Sequence, residues 1–531
     1  MKKVIFVLGL VSFVLSASAK IEMGTPFADG MVLQRGMKVP VWGKVVPDKE
    51  GLVPPSEGGP KIVLPGKRRI TVSFAGQTKT ATADPVTGVW KVELDPMEAS
   101  KESRTMTVVE ETGKWFIDLF SSPVDTVEIK DVLVGEVWYC AGQSNTELPL
   151  VGDYPHFTDR IGRLTAQMTV KLNVRFCYAS NYKWSVQPKA KADYAVAWKP
   201  FTPKNLLTKP SFSAMGCYFA LELYSALDIP IGIVGSYWGG TNIDAWTPRC
   251  GYEGKDALKK TADYELHDAK SWKKEYATEV ISQPHQQPTV LWNEMVAPWC
   301  PMAMRGFIWY QGCNNNSEGR FYGTKMQALY DGWAKAFANP KLKLYFVQLA
   351  PFRISWYDLQ LGQADFAARE PNAGMVTTCD IGNITDIHPN EKATIGKRLA
   401  ALALNRDYGF AEIVADAPVL KSCKWEEDRV VLSFDHADGW YLYNPDWSVE
   451  VPFELAGADG KWVKAWLVNS NGGKRKAEEW GTAGHVKGKE LVIAADGLKN
   501  PVKVRYLHES PWYGGLYAES GLPLGPFEAE K

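Results

Sequence analysis

The chain has 531 residues, 45% hydrophobic and 23% charged, with 60 basic and 60 acidic side chains. One hydrophobic core does not organise a chain of that length, so roughly three domains are expected. A formal net charge of zero removes the electrostatic reason to expect nucleic acid or an anionic membrane surface as partner.

The first segment reads as a secretory leader over residues 1–19. Met1-Lys2-Lys3 is a basic start, residues 4–15 are almost unbroken apolar, and Ala17-Ser18-Ala19 is a small-residue cleavage signal. The mature chain is expected to begin at Lys20 and to be exported, to periplasm or medium. The apolar run is short of a bilayer span, and no later stretch is longer, so membrane insertion is not expected.

Residues 20–130 read as an N-terminal β domain. Met31-Val32-Leu33-Gln34, Val39-Pro40-Val41-Trp42-Gly43, Ile70-Thr71-Val72-Ser73-Phe74 and Trp90-Lys91-Val92-Glu93-Leu94 are short strands between turn signals, the pattern of a β-sandwich. Residues 47–65, rich in Gly and Pro, read as a loop.

Over 131–412 fully apolar strands alternate with helical spacing. The strands are residues 132–139, 174–178, 231–235, 306–310, 344–349 and 374–378; the helices are 212–227, 322–337 and 392–404. The alternation predicts a parallel sheet covered by helices. Residues 250–300, rich in Lys, Glu and Gln, look like an insertion on that core. From 413 to 531 alternating strands return (430–434, 451–455, 491–494, 502–506), predicting a second β-sandwich.

Eight cysteines in an exported chain permit disulfides. Cys140, Cys177, Cys217 and Cys379 lie in or beside apolar runs and read as buried thiols. Cys250 and Cys300 bracket the insertion and are the disulfide candidate. No C-x-x-C pair exists, so a structural zinc site is not expected.

In an open parallel sheet, ligands sit beyond the carboxyl ends of the strands. Four such ends carry polar or glycine-rich sequence: Gly142-Gln143-Ser144-Asn145, Trp238-Gly239-Gly240-Thr241, Gln311-Gly312-Cys313-Asn314-Asn315 and Thr385-Asp386-Ile387-His388-Pro389. Each alone is more often a turn or a cap. Together, on successive strand ends, they supply an acyl-transfer site. A serine hydroxyl needs a base, and His388 serves near neutral pH. Asp386, the nearest carboxylate in sequence, is the candidate for holding the other imidazole nitrogen. Backbone N–H groups at Ser144 and in the Gly239-Gly240 turn, with the Asn315 amide, are the candidate oxyanion donors.

These four blocks resemble the SGNH-hydrolase superfamily, and more closely its sialate O-acetylesterase branch. Asp29-Gly30-Met31-Val32-Leu33-Gln34-Arg35, Val41-Trp42-Gly43 and Leu516-Tyr517-Ala518-Glu519-Ser520-Gly521-Leu522-Pro523 are similar to that branch as well, so the resemblance spans nearly the whole mature chain. It implies a flavodoxin-like three-layer α/β/α core with accessory β domains, and hydrolysis of O-acetyl esters of sialic acids without metal or cofactor. It implies Ser144 as nucleophile, His388 as base, Gly240, with or without Gly239, and Asn315 as oxyanion donors, with Gln143, Asn145, Trp238 and Gln311 toward the substrate. Three positions depart from the pattern. Thr146 replaces the usual Met, and Cys313-Asn314 replaces Glu-Ser. Thr385 stands three residues before the histidine, where superfamily members often carry Asp. Asp386 then orients His388, or a backbone carbonyl does. The rival functions are an esterase on acetylated plant polysaccharide such as xylan, with the same catalytic residues, and a carbohydrate-binding protein with a decayed site.

Overall fold

The structure, a computed structural model, describes residues 19–47, 68–112, 125–150, 172–179, 182–206, 212–442, 451–474, 486–509 and 515–531. The expected leader, residue 19 apart, and the expected 47–65 loop, residue 47 apart, lie outside the described residues.

Six parallel strands form the centre, in spatial order Val174–Tyr178, Ile231–Tyr237, Asp125–Gly142, Gly306–Tyr310, Lys343–Val347, Ala373–Val376. Ile231–Tyr237 and Gly306–Tyr310 are buried along their whole length, which is why they read as continuous apolar runs rather than alternating ones. Trp198–Pro200 adds an antiparallel edge. The helices Ala214–Leu227 and Lys392–Asp407 pack on each other and on the sheet, as do Tyr322–Ala336 and Tyr357–Arg369.

In chain order, the six strands run 2-3-1-4-5-6 across the sheet. This corrects the flavodoxin-like expectation, whose order is 2-1-3-4-5. The physical consequence is retained, because the first strand still lies where the winding switches direction. A crevice opens at such a point. Gly142 is in register with both Tyr237 and Tyr310, so three strand ends finish level there.

Asp125–Gly142 is one strand of 18 residues. Its first part alternates mostly between part-exposed and exposed and pairs antiparallel with Ser100–Thr112; its second part is wholly buried in the sheet. The boundary expected at 130 therefore falls inside a strand, where Asp131 at φ +56 sits at a register shift against Ser100–Thr112. One continuous core joins the N-terminal strands to the α/β sheet, whereas the C-terminal strands surround a core of their own. The Gln34-Arg35 motif is a structural latch between these regions. Gln34 Nε2 and Arg35 Nε donate to the buried Glu136 carboxylate at 2.9 and 2.6 Å, and Arg305 closes the cluster. Burial works to raise the Glu136 pKa, but the hydrogen bonds and charge of its arginines and Gln34 leave it lowered.

The described residues of 413–531 form antiparallel sheets, a seven-stranded one from Val419–Trp425 to Phe527–Glu530 and a three-stranded one centred on Gly439–Leu442. The 250–300 segment is a series of short helical turns. Its two cysteines correct the disulfide expectation: both are free thiols, Cys250 Sγ facing Gly332 O at 3.7 Å and Cys300 Sγ facing Val296 O at 4.0 Å.

Candidate active site

The strand Asp125–Gly142 ends on a glycine at φ +145. A Cβ there would lie 2.3 Å from Tyr310 O and 2.4 Å from Thr146 Oγ1, so the tight exit from the strand requires glycine. Gln143 is extended, and Ser144–Glu147 make one helical turn. Tyr310 O accepts from Gln143 N–H at 3.1 Å and from Thr146 Oγ at 3.0 Å; Gln143 Oε1 accepts from Gly312 N–H at 3.2 Å. Ser144 heads this turn and is part-exposed, while Gln143, Asn145 and Thr146 are buried around it.

His388 arrives on the loop between Ala373–Val376 and Lys392–Asp407. Its Nε2 lies 3.0 Å from Ser144 Oγ, and its Nδ1 lies 3.1 Å from Asp386 Oδ1. A carboxylate only accepts, so Nδ1 carries the proton and the Nε2 lone pair faces the hydroxyl. Burial is the largest influence on His388 and lowers its pKa below the ordinary 6.5; the charge of Asp386 opposes this and that of Lys392 adds to it. The imidazole is neutral near pH 7, the form that can take a proton.

The two-residue spacing between Asp386 and His388 works through a local turn. Asp386 Oδ1 also accepts the His388 backbone N–H at 2.9 Å, which folds the carboxylate back beside the ring. Thr385, at the position where the resemblance expects Asp, donates instead to Asn383 Oδ1.

The glycine turn after Ile231–Tyr237 lies against Ser144. A Cβ on Gly239 would sit 3.3 Å from Ser144 Cβ, so the absence of a side chain keeps the space beside Ser144 open. The Gly239 N–H donates to Glu147 Oε2 at 2.7 Å. That corrects its expected role, because a donor spent on the Ser144–Glu147 turn is not offered to an oxyanion. Gly240 is exposed, its carbonyl is held by Gln286 Nε2 at 2.7 Å, and its N–H has no acceptor among the described residues. Ser144 N–H, at the start of a helix, has no intrahelical acceptor.

Four more expected roles are corrected, all for one reason: the amides are consumed inside the protein. Asn315 is 0% exposed; its Oδ1 accepts from Ile243 N–H and Gln311 Nε2, and its Nδ2 donates to Glu318 Oε2 at 2.8 Å. It braces the loop after Gly240 rather than facing a substrate. Gln311 donates to Thr241 O and Asn315 and accepts from Tyr322 Oη. Asn145 Nδ2 donates to Ile387 O at 3.1 Å, and its Oδ1 accepts from Lys392 Nζ. Gln143, too, turns inward to Gly312. Trp238 remains part-exposed beside the site, stacked on His285 with centroids 4.5 Å apart and met edge-on by Tyr182.

Several residues that matter were not singled out in the sequence. Glu147 holds both Gly239 N–H and the Tyr182 hydroxyl. Its Ser-x-x-Glu spacing from Ser144 is a capping-box signature, which points it at its own helix rather than across to another strand. Lys325 is a buried cation between Asp244 and Glu318, at 2.7 and 2.5 Å, behind Asn315; burial, with Asp244, raises the Glu318 pKa. Lys392 had one signal: a cation at a helix start, where the macrodipole disfavours it.

Residues 134–405 match the family described as carbohydrate esterase, sialic acid-specific acetylesterase. The chain belongs to that family, and it is an esterase. The sialate O-acetylesterase of Pongo abelii is 26% identical over 484 residues, covering 83% of this chain and 82% of the relative. That of Rattus norvegicus is 26% identical over 390 residues, covering 65% and 68%. Among solved structures, a carbohydrate acetylesterase from Xanthomonas citri superposes with a TM-score of 0.73 at 29% identity, covering 96% of this chain and 100% of that one.

Proposed function

We propose that this esterase is exported and removes O-acetyl groups from carbohydrates, with O-acetylated sialic acids as its substrate class. Its parallel sheet and packed helices serve as a three-layer SGNH-type core with rearranged strand order, between β-sandwich-like regions. The observation that carries the reading is the line Ser144 Oγ, His388 Nε2, His388 Nδ1, Asp386 Oδ1, with gaps of 3.0 and 3.1 Å.

Ser144 Oγ attacks the acetyl carbonyl carbon while His388 Nε2 takes the hydroxyl proton. The oxyanion is held by Ser144 N–H and Gly240 N–H. His388 returns the proton to the sugar oxygen as the C–O bond breaks, leaving an acetyl-serine. Water then attacks that ester, His388 takes its proton, and acetate departs as Ser144 is reprotonated. Asp386 keeps Nδ1 protonated and offsets the imidazolium charge in both steps. The sialate preference is supported by the names of the Pongo abelii and Rattus norvegicus relatives.

The test is acetate release from O-acetylated sialoglycan and from acetylated xylan, side by side, with wild type and Ser144→Ala. Faster Ser144-dependent release from the sialoglycan supports the reading. Faster release from xylan moves the substrate to plant polysaccharide. Equal inertness of both proteins on both substrates and on an aryl acetate rejects esterase action.

A further inference from the structure

Lys392 is 1% exposed, yet no carboxylate among the described residues lies within ion-pair distance of it. A buried ammonium at a helix N-terminus is disfavoured twice, by desolvation and by the macrodipole. Three features of its surroundings explain what it does there. Its Nζ donates to Asn145 Oδ1 at 2.5 Å. It lies 5.1 Å from the centroid of the Tyr310 ring. Its other charged or titratable neighbours are Cys313, Asp386 and His388. Burial pushes the Cys313 thiol up to about 12, so that neighbour is neutral and does not offset the ammonium.

Asn145 is the only bridge described between the nucleophile turn and the base loop apart from the Ser144–His388 contact itself. Its Nδ2 donates to the carbonyl of Ile387, the residue before His388. A primary amide presents its donor in the right direction only if its oxygen is held, and Lys392 holds it. We propose that Lys392 is a positioning residue of the hydrolytic site: it fixes the Asn145 amide that ties the His388 loop to the Ser144 turn, and its unneutralised positive charge disfavours a proton on His388. The proposal rests on the reading of Ser144 and His388 given above.

Cys313 stands where the family resemblance expects a glutamate, beside Lys392. Restoring a carboxylate there neutralises Lys392 without removing its hydrogen bond to Asn145. Charge and positioning can thus be separated.

The sign is fixed by Coulomb's law. Burial, first, lowers the Lys392 pKa to about 7, with the Asp386 charge opposing. His388 titrates below 6.5, where Lys392 is charged, so two like charges face each other as the imidazole protonates. Removing the lysine charge moves the His388 midpoint to higher pH.

The experiment is an NMR titration of the His388 imidazole in the full-length protein as wild type, K392M and C313E, alongside kcat and KM on an aryl acetate. Folding is checked by thermal unfolding. In K392M the His388 midpoint should rise by roughly half a unit or more. Its kcat above that midpoint should fall about tenfold with KM little changed, since Lys392 does not touch substrate. In C313E the midpoint should rise in the same direction while kcat falls less than in K392M. A folded K392M with an unmoved His388 midpoint and wild-type kcat overturns the proposal. If wild type shows no Ser144-dependent hydrolysis, the function reading fails, while a moved midpoint still upholds the charge coupling.

Discussion

Ser144 and His388 face each other across 3.0 Å, but the segments that carry them are held very differently. The serine turn is flanked by buried Gln143, Asn145 and Thr146 and is bonded to two strand ends through Tyr310 and Gly312. The loop over 383–388 is part-exposed or exposed throughout, and its described bonds are mostly to itself, through Asn383 and Asp386. The nucleophile is fixed by the sheet. The base is fixed by a short-range turn and by one amide, Asn145, reaching from the serine side. The contrast teaches that the catalytic distance depends more on the loop than on the strand.

The largest effects should come from the reacting groups, which do not distinguish the two segments. Ser144→Ala and His388→Ala should each lower kcat by about 10⁴-fold to 10⁶-fold, with KM little altered. Residual turnover within tenfold of wild type in either variant would remove that residue from the reaction.

Asp386 probes the loop alone. Asp386→Asn should lower kcat by about 10³-fold, somewhat less than for a buried triad aspartate, because a part-exposed carboxylate is more easily replaced by water. It should also move the acidic limb of kcat/KM. Activity needs neutral His388, so it is present above the His388 pKa and lost as pH falls through it. That pKa is already below 6.5, and the Asp386 charge is what raises it. Removing the charge should shift the limb to lower pH; a shift upward would mean that Asp386 does not face the imidazole.

Asn145→Ala should follow, at about 10²-fold in kcat, since it releases the base loop while leaving the serine turn tied to Tyr310. If kcat instead stays near wild type, the loop is held by its own turn and the contrast drawn above collapses.

The same contrast marks what was readable from residues alone. Gly306–Tyr310 ends where its apolar run ends, because a strand buried on both faces has no reason to interrupt its hydrophobicity. The four strand-end motifs converge on one edge, since a parallel sheet brings its carboxyl ends together. The roles of the amides were not readable. Gln311, Asn315 and Asn145 look like substrate contacts until their partners are known, and each has a partner far off in sequence, 70, 72 and 242 residues away. Gly239 was misread for the same reason, its N–H being taken by Glu147, 92 residues earlier. The strand crossing 130–131 was not readable either, because composition does not record which neighbours a strand has along its length.

The smallest effect tests the strand side. Asn315 was expected to donate to the oxyanion and instead braces Ile243 N–H from within a fully buried network. A direct oxyanion donor is worth about 10²-fold to 10³-fold in kcat. A brace acts only through the position of the Gly240 turn, so Asn315→Ala should cost about tenfold in kcat and lower the unfolding temperature, because Gln311 Nε2, Ile243 N–H and Glu318 lose a buried partner. A loss of 10³-fold with unchanged thermal stability would return Asn315 to the oxyanion. The serine side would then depend on a movement of the Glu318–Lys325 network that frees the amide when substrate binds.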